Sequence, residues 1–200
     1  MLSPVYWDIR FYRITMFLLY GGSYASRYDL IFNHLHQKKV RTILELCFGD
    51  ILLAEFCRNN QINWTGIDRN EAFVRYAKKK GFNSIKNDIG IPGAFPGSDI
   101  VVISGALYHF HDSIDSLLEK ILKSTDQILI SEHAINFETT KGLIGFLGGI
   151  ISNAGNRNEP FRYSTASLKV LLTEISSRHN LQCHFIGRYK WDEVYLLSKK

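Results

Sequence analysis

The sequence has few cysteines and no long apolar run, and each absence excludes a class of protein. The three cysteines, Cys47, Cys57 and Cys183, are an odd number without CxxC spacing, which argues against a disulfide framework and a cysteine-based metal cluster. This pattern is typical of the reducing cytoplasm. Near the N-terminus the longest apolar run covers residues 14–20 and is too short to span a bilayer. Charged residues precede it, so we expect no signal peptide.

Internal repeats, low-complexity tracts and a strong charge imbalance are also lacking. The 200 residues include 24 Lys and Arg against 19 Asp and Glu, a net charge of +5, which permits an anionic partner without requiring one. The lysines form short clusters at expected helix or chain ends, where cations interact favourably with the helix dipole. We expect one soluble or peripheral domain without a nucleic-acid partner, and the oligomeric state stays open.

What the sequence does contain is an alternation of strand-like and helix-like segments. The apolar run 100–103 is typical of a strand covered on both faces, and residues 114–122 place their apolar side chains at helical spacing. Strands separated by helices form right-handed crossovers and a parallel sheet, whereas the last two, 181–189 and 193–198, are too close for a crossover. The pattern predicts a doubly wound, Rossmann-like α/β fold. Its seven strands are expected in the order 3-2-1-4-5-7-6, with the last antiparallel, between two helical layers.

Polar and glycine residues collect where the central strands of this sheet end. The first strand leads into Glu45-Leu-Cys47-Phe-Gly49, where a glycine lets the backbone approach a ligand and a helix begins with free N–H groups. Asp68 ends the second strand and is placed to accept hydrogen bonds from both hydroxyls of a ribose. Asp88 follows the third strand, within reach of an adenine amino group, with Ile89 next to it to pack on the ring.

In these segments the sequence resembles the class I S-adenosylmethionine-dependent methyltransferases, from about residue 41 to residue 132 and more weakly through the closing hairpin. Segment 45–49 looks like the family's first motif, Asp68 like its ribose-binding acid and Asp88 like its adenine-side acid. Segment 105–110 looks like the stretch that follows strand four in many members acting on small molecules. The resemblance implies S-adenosylmethionine as cofactor, S-adenosylhomocysteine as product, and methyl transfer. The cofactor-binding residues expected on this basis are Glu45, Cys47, Gly49, Asp68, Arg69, Asp88, Ile89, Ser104, Tyr24 and Arg27.

The first motif departs from the family pattern of three alternating glycines, because only Gly49 is present. Cys47 replaces the first glycine and is small enough to be accommodated. Ile51 replaces the third and is expected to narrow the approach to the methionine end of the cofactor. A dinucleotide fingerprint fits less well, since it needs glycines at 47, 49 and 52. A domain of this fold that binds the cofactor without turnover is a further alternative.

The acceptor has to be inferred from residues beside the expected methyl group. A hydroxyl acceptor needs a general base, and the candidates are His109 after strand four and Glu132 and His133 after strand five. Strand four is not followed by the Asn/Asp-Pro-Pro-aromatic motif of amino-group methyltransferases, and no RNA-binding appendage is recognisable. These features favour a small-molecule acceptor, with a methyltransferase of RNA or protein as the alternative.

We divide the single expected domain, residues 1–200, into four parts. These are an N-terminal helical lid (1–40), a cofactor-binding core (41–135), an acceptor-side insert (136–163), and a closing helix with a β-hairpin (164–200). The lid mixes aromatic residues with arginines, and the insert contains an apolar, glycine-rich stretch at 142–156. That stretch favours a hydrophobic or glycolipid-like acceptor and contact with a membrane surface.

Overall fold

The computed structural model describes residues 6–91, 93–134 and 161–200. One seven-stranded sheet has the order β3-β2-β1-β4-β5-β7-β6. Neighbouring strands from β1 to β5 pair in parallel, whereas β7 is antiparallel to β5 and β6. The predicted fold, strand order and antiparallel last strand are confirmed. The strands are β1 Thr42–Leu46, β2 Asn63–Asp68, β3 Asn83–Lys86, β4 Ile100–Ser104, β5 Gln127–His133, β6 Leu181–Tyr189 and β7 Asp192–Lys199.

Helices cover both faces of the sheet. In the described ranges they are α1 Ile9–Leu19, α2 Asp29–Lys38, α3 Leu52–Asn59, α4 Glu71–Lys79, α5 Ile114–Ile121 and α6 Thr165–Arg178, with 3₁₀ turns at Ala25–Tyr28 and Leu107–Ser113. Helices α1 to α4 contribute to one hydrophobic core, and α5 and α6 contribute to the other. None of the described helices has the length and apolar content needed to cross a bilayer. The predicted insert 136–163 lies outside the described residues except for 161–163.

Alternation along the strands divides the apolar residues between the two cores. On β4, Ile100 and Val102 face the α1–α4 side, and Val101 and Ile103 face the α5–α6 side. Successive side chains of a strand point to opposite faces. The uninterrupted apolar run at 100–103 therefore follows from the sheet being covered on both sides.

Helix α4 carries residues to the edge of the sheet where β2 ends. The Asn70 side chain accepts a hydrogen bond from the Ala72 N–H at 2.9 Å and thereby caps the helix. At the other end Gly81 has a φ of 78°, a left-handed conformation that glycine adopts at helix C-termini. The two caps fix where α4 begins and ends.

The ring of Trp64, on β2, packs directly against Gly66. The Trp64 Nε1–H donates to Glu45 Oε2 on the adjacent strand at 2.8 Å. A Cβ on Gly66 would lie 2.2 Å from the Trp64 ring and 2.7 Å from the Phe48 ring. Gly66 is therefore required by packing, because both rings occupy the space that a side chain would take.

We expect Gly66→Ala to lower the free energy of unfolding by about 2–3 kcal/mol, since the added methyl group overpacks a buried site. Urea unfolding followed by circular dichroism measures the change. Gly97→Ala is the matched control, because the nearest atom to its added Cβ would be 3.9 Å away. Stability of the Gly66 variant within about 0.5 kcal/mol of wild type would contradict this packing.

Candidate active site

A cavity of about 520 Å³ opens at the carboxyl ends of β1, β2 and β4. Sheets of this kind bind ligands at that edge, and the volume lies within the ~300–1,000 Å³ typical of small-molecule sites. The structure brings eight of the residues proposed from the sequence into the lining. These are Cys47, Gly49, Asp68, Arg69, Asp88, Ile89, Ser104 and His109.

The turn between β1 and α3 forms one wall of the cavity in a glycine-like conformation. Cys47 and Gly49 have φ angles of 55° and 57°. For cysteine this left-handed conformation costs about 1–2 kcal/mol, and the Cys47 N–H is held by the Ile67 carbonyl at 2.7 Å. A Cβ on Gly49 would lie 3.0 Å from the Tyr12 hydroxyl. The backbone shape expected of the first motif is therefore present although the first glycine is not.

The expectation that Ile51 narrows the approach to the cofactor is wrong. Its side chain is completely buried in the core on the α1–α4 side, and it does not line the cavity. Ile51 is the N-cap residue of helix α3, and its apolar side chain packs in the core, away from the cavity.

Asp68 ties the ends of β1 and β2 together at the cavity. Its Oδ2 accepts the Gly49 N–H at 3.0 Å, and its Oδ1 accepts the Asn70 N–H at 2.7 Å. Burial raises the pKa of this carboxyl to about 6, although the two backbone N–H groups and Arg69 act in the opposite direction. Each carboxylate oxygen has two lone pairs, so Asp68 retains acceptor capacity towards the cavity.

The far side of the cavity is built by the end of β3 and the loop that follows it. Asp88 is exposed and accepts the Gly90 N–H at 2.9 Å, whereas Ile89 is buried. Lys86 and Glu71 both line the cavity and form an ion pair at 2.7 Å. Asp88 and Ile89 therefore both contribute to the lining of the cavity.

Aromatic side chains supply much of the remaining lining. The Tyr12 ring lies 5.2 Å from the Phe73 ring, and the Tyr6 ring 6.1 Å from it. Tyr108 and His109, whose rings are 3.9 Å apart, cover another part of the lining. The sequence placed Tyr6 and Tyr12 in the lid region. It gave no sign of Phe73, which has the spacing of an ordinary core residue.

Arg27 and Tyr24 do not line the cavity, contrary to the sequence prediction. Arg27 is 2% exposed, and its Nη2 donates to Ser104 Oγ at 3.2 Å. A Cβ on Gly105, which has a φ of 65°, would lie 2.9 Å from this nitrogen. The guanidinium therefore supports the cavity wall from behind. Tyr24 packs against it, with the guanidinium carbon 5.9 Å from the ring centre.

A buried carboxylate on β7 neutralises Arg27. Asp192 is completely buried and lies 3.5 Å from Arg27 Nη2 and 2.6 Å from His133 Nδ1. The Tyr20 hydroxyl donates to it at 2.6 Å. Burial raises the pKa of Asp192, but Arg27 and His133 outweigh it and hold that pKa well below its ordinary value.

The three other predicted residues also lie outside the lining. Glu45 is buried against Trp64, where burial raises its pKa. Glu132 is buried and accepts the Leu107 N–H at 2.6 Å and the His133 N–H at 3.1 Å. Because its two oxygens accept backbone N–H groups, Glu132 stabilises the backbone after β4 and at the end of β5. This position does not match the predicted role as general base. The His133 ring contacts Asp192, with Nδ1 2.6 Å from the carboxylate, and does not line the cavity.

Sequence searches found no matching family model and no matching curated protein. Solved structures do match in fold. The plantazolicin methyltransferase BpumL, in complex with a monoazolic desmethylPZN analogue and SAH, aligns over 94% of this chain and 87% of its own, with a TM-score of 0.62 and 16% identity. The human N-acetylserotonin methyltransferase in complex with SAM aligns over 98% of this chain, with a TM-score of 0.64 and 17% identity. The mitomycin 7-O-methyltransferase MmcR aligns over 90%, with a TM-score of 0.62 and 14% identity.

The chain has the fold of these methyltransferases. It spans 57% of the human protein and 55% of the mitomycin enzyme. At this level of identity the likeness establishes the fold, and the activity has to be argued from the cavity.

Asp192→Asn leaves Arg27 buried without its counter-charge, so we expect it to lower the free energy of unfolding by about 3–5 kcal/mol at neutral pH. A carboxyl whose pKa is depressed by folding contributes stability above its unfolded pKa, near 3.8, and this contribution is lost as the pH falls further. The gap between wild type and variant should therefore narrow below about pH 4. Urea unfolding at neutral and acid pH measures both effects.

The matched control is Asp126→Asn, which removes the carboxylate of a surface pair with Lys199, where Asp126 is 74% exposed. Surface pairs contribute about 0–1 kcal/mol. Equal stability losses in the two variants would show that Asp192, with its partners Tyr20, Arg27 and His133, does not stabilise the N-terminal segment.

Proposed function

We propose that this chain is a cytoplasmic methyltransferase that binds S-adenosylmethionine in the cavity. Its acceptor is a small molecule of hydrophobic or glycolipid-like character. The observation that carries the proposal is the position of Asp68, whose carboxylate joins the glycine turn of β1 to the end of β2 and faces a cavity of about 520 Å³. Carboxylates in this place bind the hydroxyls of an adenosyl ribose in sheets of this topology.

The residues of the cavity fit the proposed cofactor. Asp68 has acceptor capacity for the two ribose hydroxyls, and we assign the adenine amino group to Asp88 and the adenine ring to Ile89, which both line the cavity. The positive φ of Gly49 brings a bare backbone to the cavity wall, where an added Cβ would be in contact with Tyr12. Cys47, Arg69 and Ser104 complete the cofactor-binding set. Glu45, Tyr24 and Arg27 support it from behind instead of touching the ligand.

The bound cofactor would supply a methyl group on a sulfonium, a leaving group that needs little covalent assistance. The chain therefore has to position the acceptor and exclude water. His109 lines the cavity and is the residue we assign to take a proton from a hydroxyl acceptor. Tyr6, Tyr12 and Tyr108 give the cavity an aromatic wall that suits an apolar acceptor.

The proposed division of the chain keeps the lid at 1–40, the core at 41–135, the insert at 136–163 and the closing segment at 164–200. Tyr6 and Tyr12 already contribute to the cavity from the lid. At the other side Arg162 lies over the Tyr108 ring, with its guanidinium carbon 3.7 Å from the ring centre. Contact with a membrane surface belongs to the proposal because a glycolipid-like acceptor resides there.

Asp68→Ala should weaken binding of S-adenosylhomocysteine about thirty- to a thousandfold, because it removes the acceptor of two ligand hydroxyls, worth roughly 2–4 kcal/mol after partial replacement by water. The wild-type affinity should also fall about tenfold per pH unit below about pH 6, where the unliganded carboxyl becomes protonated. Asp68→Asn has no such titration, so its affinity should lack this pH dependence. Calorimetric titration at several pH values measures these effects.

The matched control is Asp99→Ala, at the opposite edge of the sheet. Asp99 also accepts two backbone N–H groups, from Arg41 at 2.8 Å and Thr42 at 2.9 Å. This variant should melt at a lower temperature and bind the ligand like wild type. An Asp68→Ala protein that melts lower yet binds as tightly as wild type would show that the carboxylate serves only the fold.

Methyl transfer is tested by incubating the protein with S-adenosylmethionine labelled in its methyl group and an organic extract of cells that express the protein. We expect label in an organic-soluble product, and we expect His109→Gln to slow its formation by about 10²–10⁴-fold while binding S-adenosylhomocysteine almost normally. Label that enters RNA or protein would instead support the alternative acceptors. Binding of the cofactor without transfer to any acceptor would identify a non-catalytic binding module.

A further inference from the structure

Helix α1 is apolar on two opposite faces. One face is buried in the core through Ile9 and Met16. The other is exposed, although it consists of large apolar side chains at helical spacing. We call this exposed set the α1 stripe. It comprises Trp7, just before the helix, and Phe11, Ile14, Phe17 and Leu18, with exposed fractions of 59%, 60%, 58%, 56% and 63%.

The α1 stripe is unusual within this molecule. It contains five of the ten exposed large hydrophobic side chains of the described residues. The other five are distributed over α6, β3, β6 and two loops. Single exposed apolar residues need no explanation, whereas a contiguous patch indicates a surface that is covered by a partner.

The charges around the stripe favour an anionic partner. Helix α1 contains two arginines and no acidic residue, but Arg13 is paired with Asp50 at 2.6 Å, so Arg10 is the cation that the helix adds beside the stripe. Arg10 is exposed on the same side as the stripe, and Lys190 is exposed beyond its C-terminal end, where its Nζ donates to Ser23 Oγ at 2.7 Å. The nearest acid in sequence, Asp8, is the helix N-cap and accepts the Arg10 N–H at 2.7 Å; its single negative charge is outnumbered by Arg10 and Lys190. Apolar and aromatic side chains flanked by cations are typical of helices that lie in a membrane interface.

The apolar area of the stripe is large enough for a protein partner or for a bilayer. Five side chains of about 200 Å² each, exposed by about three-fifths, offer roughly 600 Å². A stable dimer interface buries about 800 Å² from each partner, of which roughly 450 Å² is apolar. The exposed Arg10 and Lys190 favour the bilayer, because binding to it grows with each apolar group that enters the interface and is strengthened by anionic lipids.

We propose that the α1 stripe binds the surface of an anionic lipid bilayer, with α1 lying in the plane of the interface. The opposite side of the same helix carries Tyr12, which lines the cavity. Binding through the stripe therefore places the cavity one helix diameter, ~10 Å, from the headgroup layer. The α1 stripe gives the membrane contact included in the proposed function a location and rests on that function in this respect, whereas lipid binding itself does not require methyl transfer.

The experiment is co-sedimentation of the full chain with vesicles in which about a third of the lipid is phosphatidylglycerol and the rest phosphatidylcholine. The test variant is Phe11→Gln/Ile14→Gln/Leu18→Gln, because glutamine is polar and has a high helix propensity, so helix α1 should be retained. We expect its partition coefficient to fall at least about tenfold relative to wild type. The matched control is Val170→Gln/Phe185→Gln, at two residues that are each 56% exposed elsewhere, and it should partition like wild type.

Trp7 fluorescence gives a second measurement. Its side chain is 59% exposed, whereas Trp64 is 6% exposed and Trp191 is half-buried, so vesicle binding should shift the Trp7 emission to shorter wavelength and brominated lipid should quench it. Trp7→Phe should remove most of the shift while the protein still sediments with vesicles. Neutral vesicles should bind the wild type less tightly, with a difference that high salt removes.

Three results would overturn the proposal. They are equal partition of the stripe variant and wild type, no vesicle binding by wild type, and a wild-type dimer in analytical ultracentrifugation that the stripe substitutions dissociate. In the last case a second copy of the chain occupies the stripe. Binding of S-adenosylhomocysteine by the stripe variant should equal that of wild type, which separates a failure of this surface from a failure of the proposed function.

Discussion

The buried carboxylate of Asp192 is the point on which the arrangement of the N-terminal segment depends. Side chains from that segment and from β5 converge on it, with Tyr20 and Arg27 on one side and His133 on the other. An ion in the interior is tolerated only when its partners stay in place, because the unpaired charge costs several kcal/mol. The segment that carries α1 and α2 is thereby fastened across the ends of β5 and β7.

The same cluster shapes the cavity. Arg27 fills the space behind Gly105, so the chain after β4 turns with a positive φ against a guanidinium. Fastening the N-terminal segment also sets the position of α1, whose inner side brings Tyr12 to the glycine turn after β1. The wall of the cavity is therefore made jointly by the sheet and by a helix that precedes it in sequence.

The fold could be predicted from the sequence because its determinants are local. Apolar runs such as 100–103 and the helical spacing at 114–122 mark elements whose order leaves few topologies open. The sites at strand ends, Asp68 and Asp88 among them, followed from the rule that ligands bind beyond the carboxyl ends of parallel strands. Arg27 could not be placed in this way. Its position depends on Asp192, which lies at the other end of the sequence, and no local pattern relates the two.

The hydrogen bonds of Asp68 have a consequence for the rate of ligand binding. Its carboxylate accepts the Gly49 and Asn70 N–H groups, so hydrogen bonds within the protein fix the shape of the glycine turn. Association then requires little rearrangement, and its rate is governed mainly by diffusion and access to the mouth. Differences in affinity among ligands would be expressed as differences in residence time.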